Sequence, residues 1–136
     1  MVKGNDVFHI TSVATNEILQ APVAPGEPLT LGGTAGIWTI DPPPDPYRVV
    51  ISTIHDEQAN LYAGVDQAVP GEKIIAVADP YQFNIAPTPA GSYVIFPIGP
   101  DLFWASNSTI NPDIELISGY EIRGNEAFFN ITLVYY

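Results

Sequence analysis

Cysteine is absent from the 136 residues, which removes disulfides, thiolate metal ligands and cysteine nucleophiles together. Basic residues are scarce: Lys3, Arg48, Lys73 and Arg123 stand against 15 acidic residues, for a net charge of −11. A surface of that sign repels phosphate backbones and anionic lipid, so neither nucleic acid nor a membrane is an expected partner. Long apolar runs are missing as well. No stretch approaches the ~20 residues that span a bilayer, and no N-terminal segment reads as a secretory signal. The expected location is the cytoplasm, or outside the cell by release without a signal peptide. Helical periodicity is missing too: the nearest candidate, Glu57 to Gln67, is interrupted by Gly64.

What the chain has is repetition. Trp38-Thr39-Ile40, Phe83-Asn84-Ile85 and Phe129-Asn130-Ile131 share one form and step by 45 and 46 residues from Trp38 to Phe83 to Phe129. A period of this length is read before any local propensity, because it decides the fold. Other landmarks follow it. Val23-Ala24-Pro25-Gly26-Glu27 with Leu29 and Leu31 is matched by Ala68-Val69-Pro70-Gly71-Glu72 with Ile74 and Ile75, then by Asn111-Pro112-Asp113 with Ile114 and Leu116. Leu19, Leu61 and Phe103 are aligned as one large apolar residue per unit, and each unit opens on a β-rich run: Val7-Phe8-His9-Ile10, Tyr47-Arg48-Val49-Val50-Ile51 and Ser92-Tyr93-Val94-Ile95-Phe96. β-Branched and aromatic residues fill these runs, with Pro, Gly, Asn and Asp between them.

Four strand-length landmarks per unit predict twelve strands in three pseudo-symmetric four-stranded units, an all-β protein of the β-trefoil plan. Closure of such a barrel removes free sheet edges. The length and 46% hydrophobic content suit one core and one domain, residues 1–136, with units near 5–46, 47–91 and 92–136. The proline-rich stretches Asp41 to Pro46 and Ala86 to Gly91 fall just after the tripeptides and read as stiff connectors between units. A monomer is expected.

Nothing in the residue pattern supports an enzyme, a cofactor or a metal site. His9 and His55 lack partners at recognisable spacing, and neighbours such as His55-Asp56 point to opposite faces of a strand. Asp56 with Glu57, and Asp113 with Glu115, read as solvated faces. No glycine-rich phosphate loop or metal-ligand spacing occurs.

Function is then sought where the units differ. The third is longer between its last two strands, from Leu116 to Phe129, with the extra residues at Gly119 to Ala127. Arg123-Gly124-Asn125-Glu126 reads as a hairpin tip, with Gly124 and Asn125 suited to positive φ. An alternative register makes Tyr120-Glu121-Ile122 the last strand of the unit and Arg123 the start of an extension. The verbatim repeat of Phe-Asn-Ile at Phe83 and Phe129 favours the first.

An acidic, cysteine-free trefoil of this length, with aromatic-x-Ile in strand 4 and Tyr47-Arg48-Val49 or Tyr93-Val94-Ile95 in the strand that follows, resembles the mushroom β-trefoil protease inhibitors. The resemblance covers nearly the whole chain. It implies inhibition of a trypsin-like serine protease by one basic residue in the hairpin between strands 11 and 12. Arg123 matches that position, flanked by Ile122, Gly124 and Asn125. The guanidinium would enter a pocket ending in a carboxylate. A second inhibitory mode of the family, an Asn in the loop between strands 2 and 3, finds no match in Ala21 to Pro28. The related inhibitors of cysteine proteases and asparaginyl endopeptidases imply an Asn in the loop between strands 5 and 6, where Asn60 stands.

A sugar-binding lectin is the reading from another class. Ricin-type trefoils carry Gln-x-Trp in each unit, whereas here only Gln82 precedes an aromatic residue at similar spacing. Trp104 with Asp101 and Asn107 forms the candidate sugar site, Phe103 being assigned to the core by its alignment with Leu19 and Leu61.

Overall fold

The computed structural model describes residues 6–106 and 112–134. Ten strands run through them: β1 (Val7–Ser12), β2 (Trp38–Asp41), β3 (Val50–Asp56), β4 (Leu61–Gly64), β5 (Ile75–Val77), β6 (Gln82–Pro87), β7 (Tyr93–Pro97), β8 (Leu102–Ser106), β9 (Ile114–Ser118) and β10 (Phe129–Leu133). Among the described residues the one helical element is a short 3-10 turn, Gly119–Glu121. In β1 the period-two alternation turns Phe8, Ile10 and Ser12 inward and leaves His9 and Thr11 half-exposed.

Six strands close into a ring. Following antiparallel pairings, β1 meets β10, β10 meets β7, β7 meets β6, β6 meets β3, β3 meets β2, and β2 returns to β1. These are the first and last strands of each unit. Every one therefore has two neighbours, and the barrel has no open edge. The three tripeptides occupy equivalent places on β2, β6 and β10, with Trp38, Phe83 and Phe129 all fully buried.

The inner hairpins of the units meet on the pseudo-threefold axis. There the backbone N–H of Leu29 donates to Ile74 O (2.8 Å), that of Ile74 to Ile114 O (2.9 Å) and that of Ile114 to Leu29 O (3.4 Å). This cycle of three hydrogen bonds joins one residue from each unit, and all three side chains are buried. Around it the same bond recurs again: Ala76 N to Glu27 O, Leu116 N to Glu72 O and Leu31 N to Pro112 O. Backbone groups removed from water at the axis are thus satisfied by their own symmetry mates.

Two expectations need correction. Of the predicted twelve strands, ten form among the described residues, and the second and third strands of unit one are present there only as isolated bridges, Leu19 to Leu31, Gln20 to Ala35 and Pro28 to Ile75 among them. Pro22, Pro25 and Pro28 remove ladder donors there, and Gly32 and Gly33 both take positive φ, so the chain bends where a strand would continue. The alignment of Leu19, Leu61 and Phe103 also slips. The hairpin pairs are Leu19 with Leu31, Ala63 with Ala76, and Trp104 with Leu116, which makes Leu19, Ala63 and Trp104 the true equivalents, and Ala76 rather than Ile75 the mate of Leu31. The preferred register of unit three holds: Phe129 begins β10, while Tyr120 and Glu121 lie in the 3-10 turn.

Candidate functional site

The enlarged loop of unit three, residues 119–128, is ordered from within. Glu126 accepts the backbone N–H groups of Arg123 (2.7 Å) and Gly124 (2.6 Å) on its two carboxylate oxygens. Its own backbone carbonyl takes Ser106 N (2.8 Å), and the next residue, Ala127, is buried. Burial raises the Glu126 pKa, but the N–H groups of Arg123, of Glu126 itself and of Gly124, with the Arg123 charge, outweigh it and hold the carboxyl below the usual glutamate range. Arg123, Gly124 and Asn125 are exposed and Ile122 is half-buried. The Arg123 guanidinium folds back to donate to Tyr120 O (3.2 Å). Gly124 and Asn125 do not have the positive φ expected of a two-residue hairpin tip. With a 3-10 turn and a carboxylate clamp in place of paired strands, the segment is a compact loop.

Asn60 closes the turn between β3 and β4 at φ 56°. It is exposed, and its Oδ1 lies 2.9 Å from His55 Nε2. His55 in turn stacks on Tyr62 at 4.3 Å between centroids and 38° between planes. The chain neighbour of His55 behaves differently. Asp56 is 2% exposed, not the solvated acid that its sequence suggests, and its Oδ1 accepts Ala59 N at 2.9 Å.

Trp104 is also not where the sequence reading put it. At 0% exposure it lies in the core, edge-on to Phe83 (5.2 Å) and Phe129 (6.1 Å), so it offers no platform to a sugar. The register with β9, Trp104 opposite Leu116, turns Trp104 inward and Phe103 outward. Phe103 is half-buried and stacks on Phe96 at 5.2 Å and 50°. Its ring edge lies 3.1 Å from the point where a Cβ on Gly119 would stand, and both Asp101 carboxylate oxygens lie 3.2 Å from that point. Glycine at 119 therefore lets ring and carboxylate close over the backbone, and Tyr120, next in the chain, is 81% exposed. Of the candidate sugar residues Asp101 keeps its place beside an aromatic ring, Trp104 does not, and Asn107 lies outside the described residues.

Barrel pairings relate these two clusters. Phe8 faces Trp38, Ser52 faces Phe83 and Tyr93 faces Phe129, so Thr11, His55 and Phe96, three residues further along, are equivalent. Across their hairpins Thr11 pairs with Ile18 and His55 with Tyr62, while Phe96 stacks on Phe103, and two residues before Ile18, Tyr62 and Phe103 stand Asn16, Asn60 and Asp101. Units two and three thus carry the same construction, a ring pair with an exposed polar residue beside it. Unit one carries Thr11 and Ile18 instead. The sequence holds a trace of it that the reading missed: His55 to Tyr62 and Phe96 to Phe103 both span seven residues.

On the other side of the β3–β4 turn a cleft of about 250 Å³ opens between units one and two. Val7 and Ile37 supply apolar wall, and Thr39, Asp56, Glu57 and Gln58 supply polar groups. Thr39 Oγ1 donates to Glu57 Oε1 at 3.2 Å.

No family model and no curated protein matches the chain. Solved structures do. The chain is similar to the Macrolepiota procera ricin B-like lectin in complex with lactose, with 16% identity, TM-score 0.73, and coverage of 97% of this chain and 98% of that one. It is similar to the Rhizoctonia solani agglutinin, with 10% identity, TM-score 0.77, and coverage of 98% and 99%. It is also similar to ThreeFoil, a designed 3-fold symmetric protein, with 9% identity, TM-score 0.71, and coverage of 93% and 97%. These likenesses establish the β-trefoil fold over essentially the full chain.

Proposed function

We propose that the protein is a carbohydrate-binding β-trefoil with two sites, one at Phe96, Phe103 and Asp101 and one at His55, Tyr62 and Asn60. The observation that carries this reading is the recurrence of a ring pair beside a polar side chain at equivalent positions in two units. A sugar presents an apolar C–H face and a rim of hydroxyls. Half-buried rings receive the first, and a carboxylate or amide receives the second. In unit three Tyr120 extends the aromatic surface, and Asp101 offers acceptors to two hydroxyls. In unit two the Asn60 amide, fixed by His55, offers its N–H donors. The lactose complex of the Macrolepiota procera lectin supports the reading by fold likeness. A glycan array with wild type, Tyr62→Ala, Phe103→Ala and the double variant tests it. Each single change is expected to weaken binding about threefold to tenfold, from ~0.5–1.5 kcal/mol per aromatic contact, and the double change to abolish it. A blank array for the wild type, or undiminished binding by the double variant, refutes the proposal.

Inhibition of a trypsin-like protease keeps one specific support, an exposed Arg123 on the enlarged loop. A substrate-like segment, however, lies extended and lends its main-chain donors to the protease, whereas Glu126 holds the N–H groups of Arg123 and Gly124. Neither wild type nor Arg123→Ala is expected to slow trypsin. Slowing by the wild type alone would restore the inhibitor reading with Arg123 as its anchor.

A further inference from the structure

The two ring pairs sit on unlike ground. Across β6 and β7, Asn84 faces Phe96 and Ala86 faces Val94, and Asn84 in turn faces Ile51 on β3. These side chains lie on the outside of the barrel, because Phe83, Ile85 and Ile95, which alternate with them, take the inside. Ile51 is 46% exposed, and Val49, two residues before it, is 50% exposed. An apolar track thus leads from Phe96 through Val94 and Ala86 to Val49 and Ile51, with Asn84 as its one polar side chain and no charge. At the equivalent places beside His55 stand Thr39, opposite His55 itself, and Asp41, opposite Thr53. The unit two pair therefore has polar surroundings, and the unit three pair opens onto apolar surface.

We propose that the unit three pair takes a neutral glycoside with an alkyl aglycone, its sugar on Phe103 and Phe96 and its chain along this track. The inference rests on the sugar-binding reading of that pair and adds what lies beyond the sugar's reducing end. Continuity selects the occupant. Phe96 belongs both to the ring pair and to the track, so a molecule that covers the two carries hydroxyls at one end, for Asp101, and methylenes at the other. Burying those methylenes against Val94, Ala86, Val49 and Ile51 is favourable in proportion to the apolar area covered. From Phe96 to Ile51 there are two inter-strand steps, ~9–10 Å, and an octyl chain is of that length. Asn84, between them, offers amide donors to the glycosidic oxygen. The ligand is neutral because the track holds no charge to meet one and the net charge of −11 repels an anionic head group.

The test titrates 15N-labelled protein with methyl β-lactoside, with n-octyl β-lactoside below its micelle concentration, and with 1-octanol. Lactosides are the probe because lactose is the sugar in the structurally similar Macrolepiota procera complex. The octyl glycoside is expected to bind at least about tenfold more tightly than the methyl one, since each fully buried methylene is worth about fourfold. Amide signals of Ile51, Ala86 and Val94 should move with the octyl glycoside alone, and those of Asp101 and Phe103 with both glycosides. Val49→Thr combined with Ile51→Thr keeps two exposed positions β-branched, so the fold is retained, which the spectrum verifies. This double variant is expected to keep the affinity for the methyl glycoside and to lose most of the octyl advantage. An octyl advantage that survives in it, shifts from 1-octanol as large as those from the octyl glycoside, or no response to the octyl glycoside overturns the proposal. Equal affinity for the two glycosides, with shifts at Phe103, removes the aglycone and leaves the sugar reading standing; the glycan array decides that reading separately. A wild-type dimer that the double variant makes monomeric would assign the track to a second copy of the chain and overturns the proposal as well.

Discussion

Phe103 and Trp104 are adjacent in the chain and have opposite roles. Trp104 fills the barrel between Phe83 and Phe129, with its indole N–H buried and unpartnered, while Phe103 faces outward against Phe96. Truncating the first leaves a large cavity in a packed interior, and Trp104→Ala is expected to cost about 3–5 kcal/mol in urea unfolding. Phe103→Ala removes half-exposed surface and is expected to cost clearly less while weakening glycan binding. Similar destabilisation by the two variants would contradict the register assigned to β8. Single letters carry no such distinction. An aromatic pair such as Phe103-Trp104 announces a strand, but which ring turns inward depends on the residue opposite, here Leu116 rather than Ile117, and a one-residue slip exchanges the faces.

Between β9 and β10 the enlarged loop owes its shape to one acid. Glu126 ionises more readily in the folded protein, since hydrogen bonds from Arg123, Glu126 and Gly124 outweigh its burial. A carboxyl whose folded pKa is depressed adds stability above its unfolded value, and that contribution is lost as pH falls through the folded value. Hydrogen exchange at the Arg123 and Gly124 amides is therefore expected to be slow at neutral pH and to lose protection on acidification below the ordinary glutamate range. Glu126→Gln should remove this pH dependence. Protection that persists in the variant would assign the order of the loop to other contacts. The length of the loop and the exposure of Arg123 were legible from comparing the units. The clamp was not, because Glu126 reads in sequence as one more surface acid and acts only when the turn brings two N–H groups onto its oxygens.

On the scale of the molecule, the three units are tied where Leu29, Ile74 and Ile114 meet. A buried residue shared by all three should report on global rather than local unfolding. Ile74→Ala is expected to cost about 2–5 kcal/mol and to lower a single cooperative transition, seen at the same midpoint by circular dichroism and by tryptophan fluorescence. Separate midpoints would mean that the units unfold independently. The recurring tripeptides at Trp38, Phe83 and Phe129 and the Pro-Gly-Glu turns determined the trefoil by themselves, since strand propensity, turn chemistry and apolar spacing are all local in the chain. Only the tertiary structure decided which side chains became surface. It buried Trp104, turned the ring pairs outward and placed Asp56 in a cleft, because facing follows from pairing between strands far apart in sequence and no local pattern records that register.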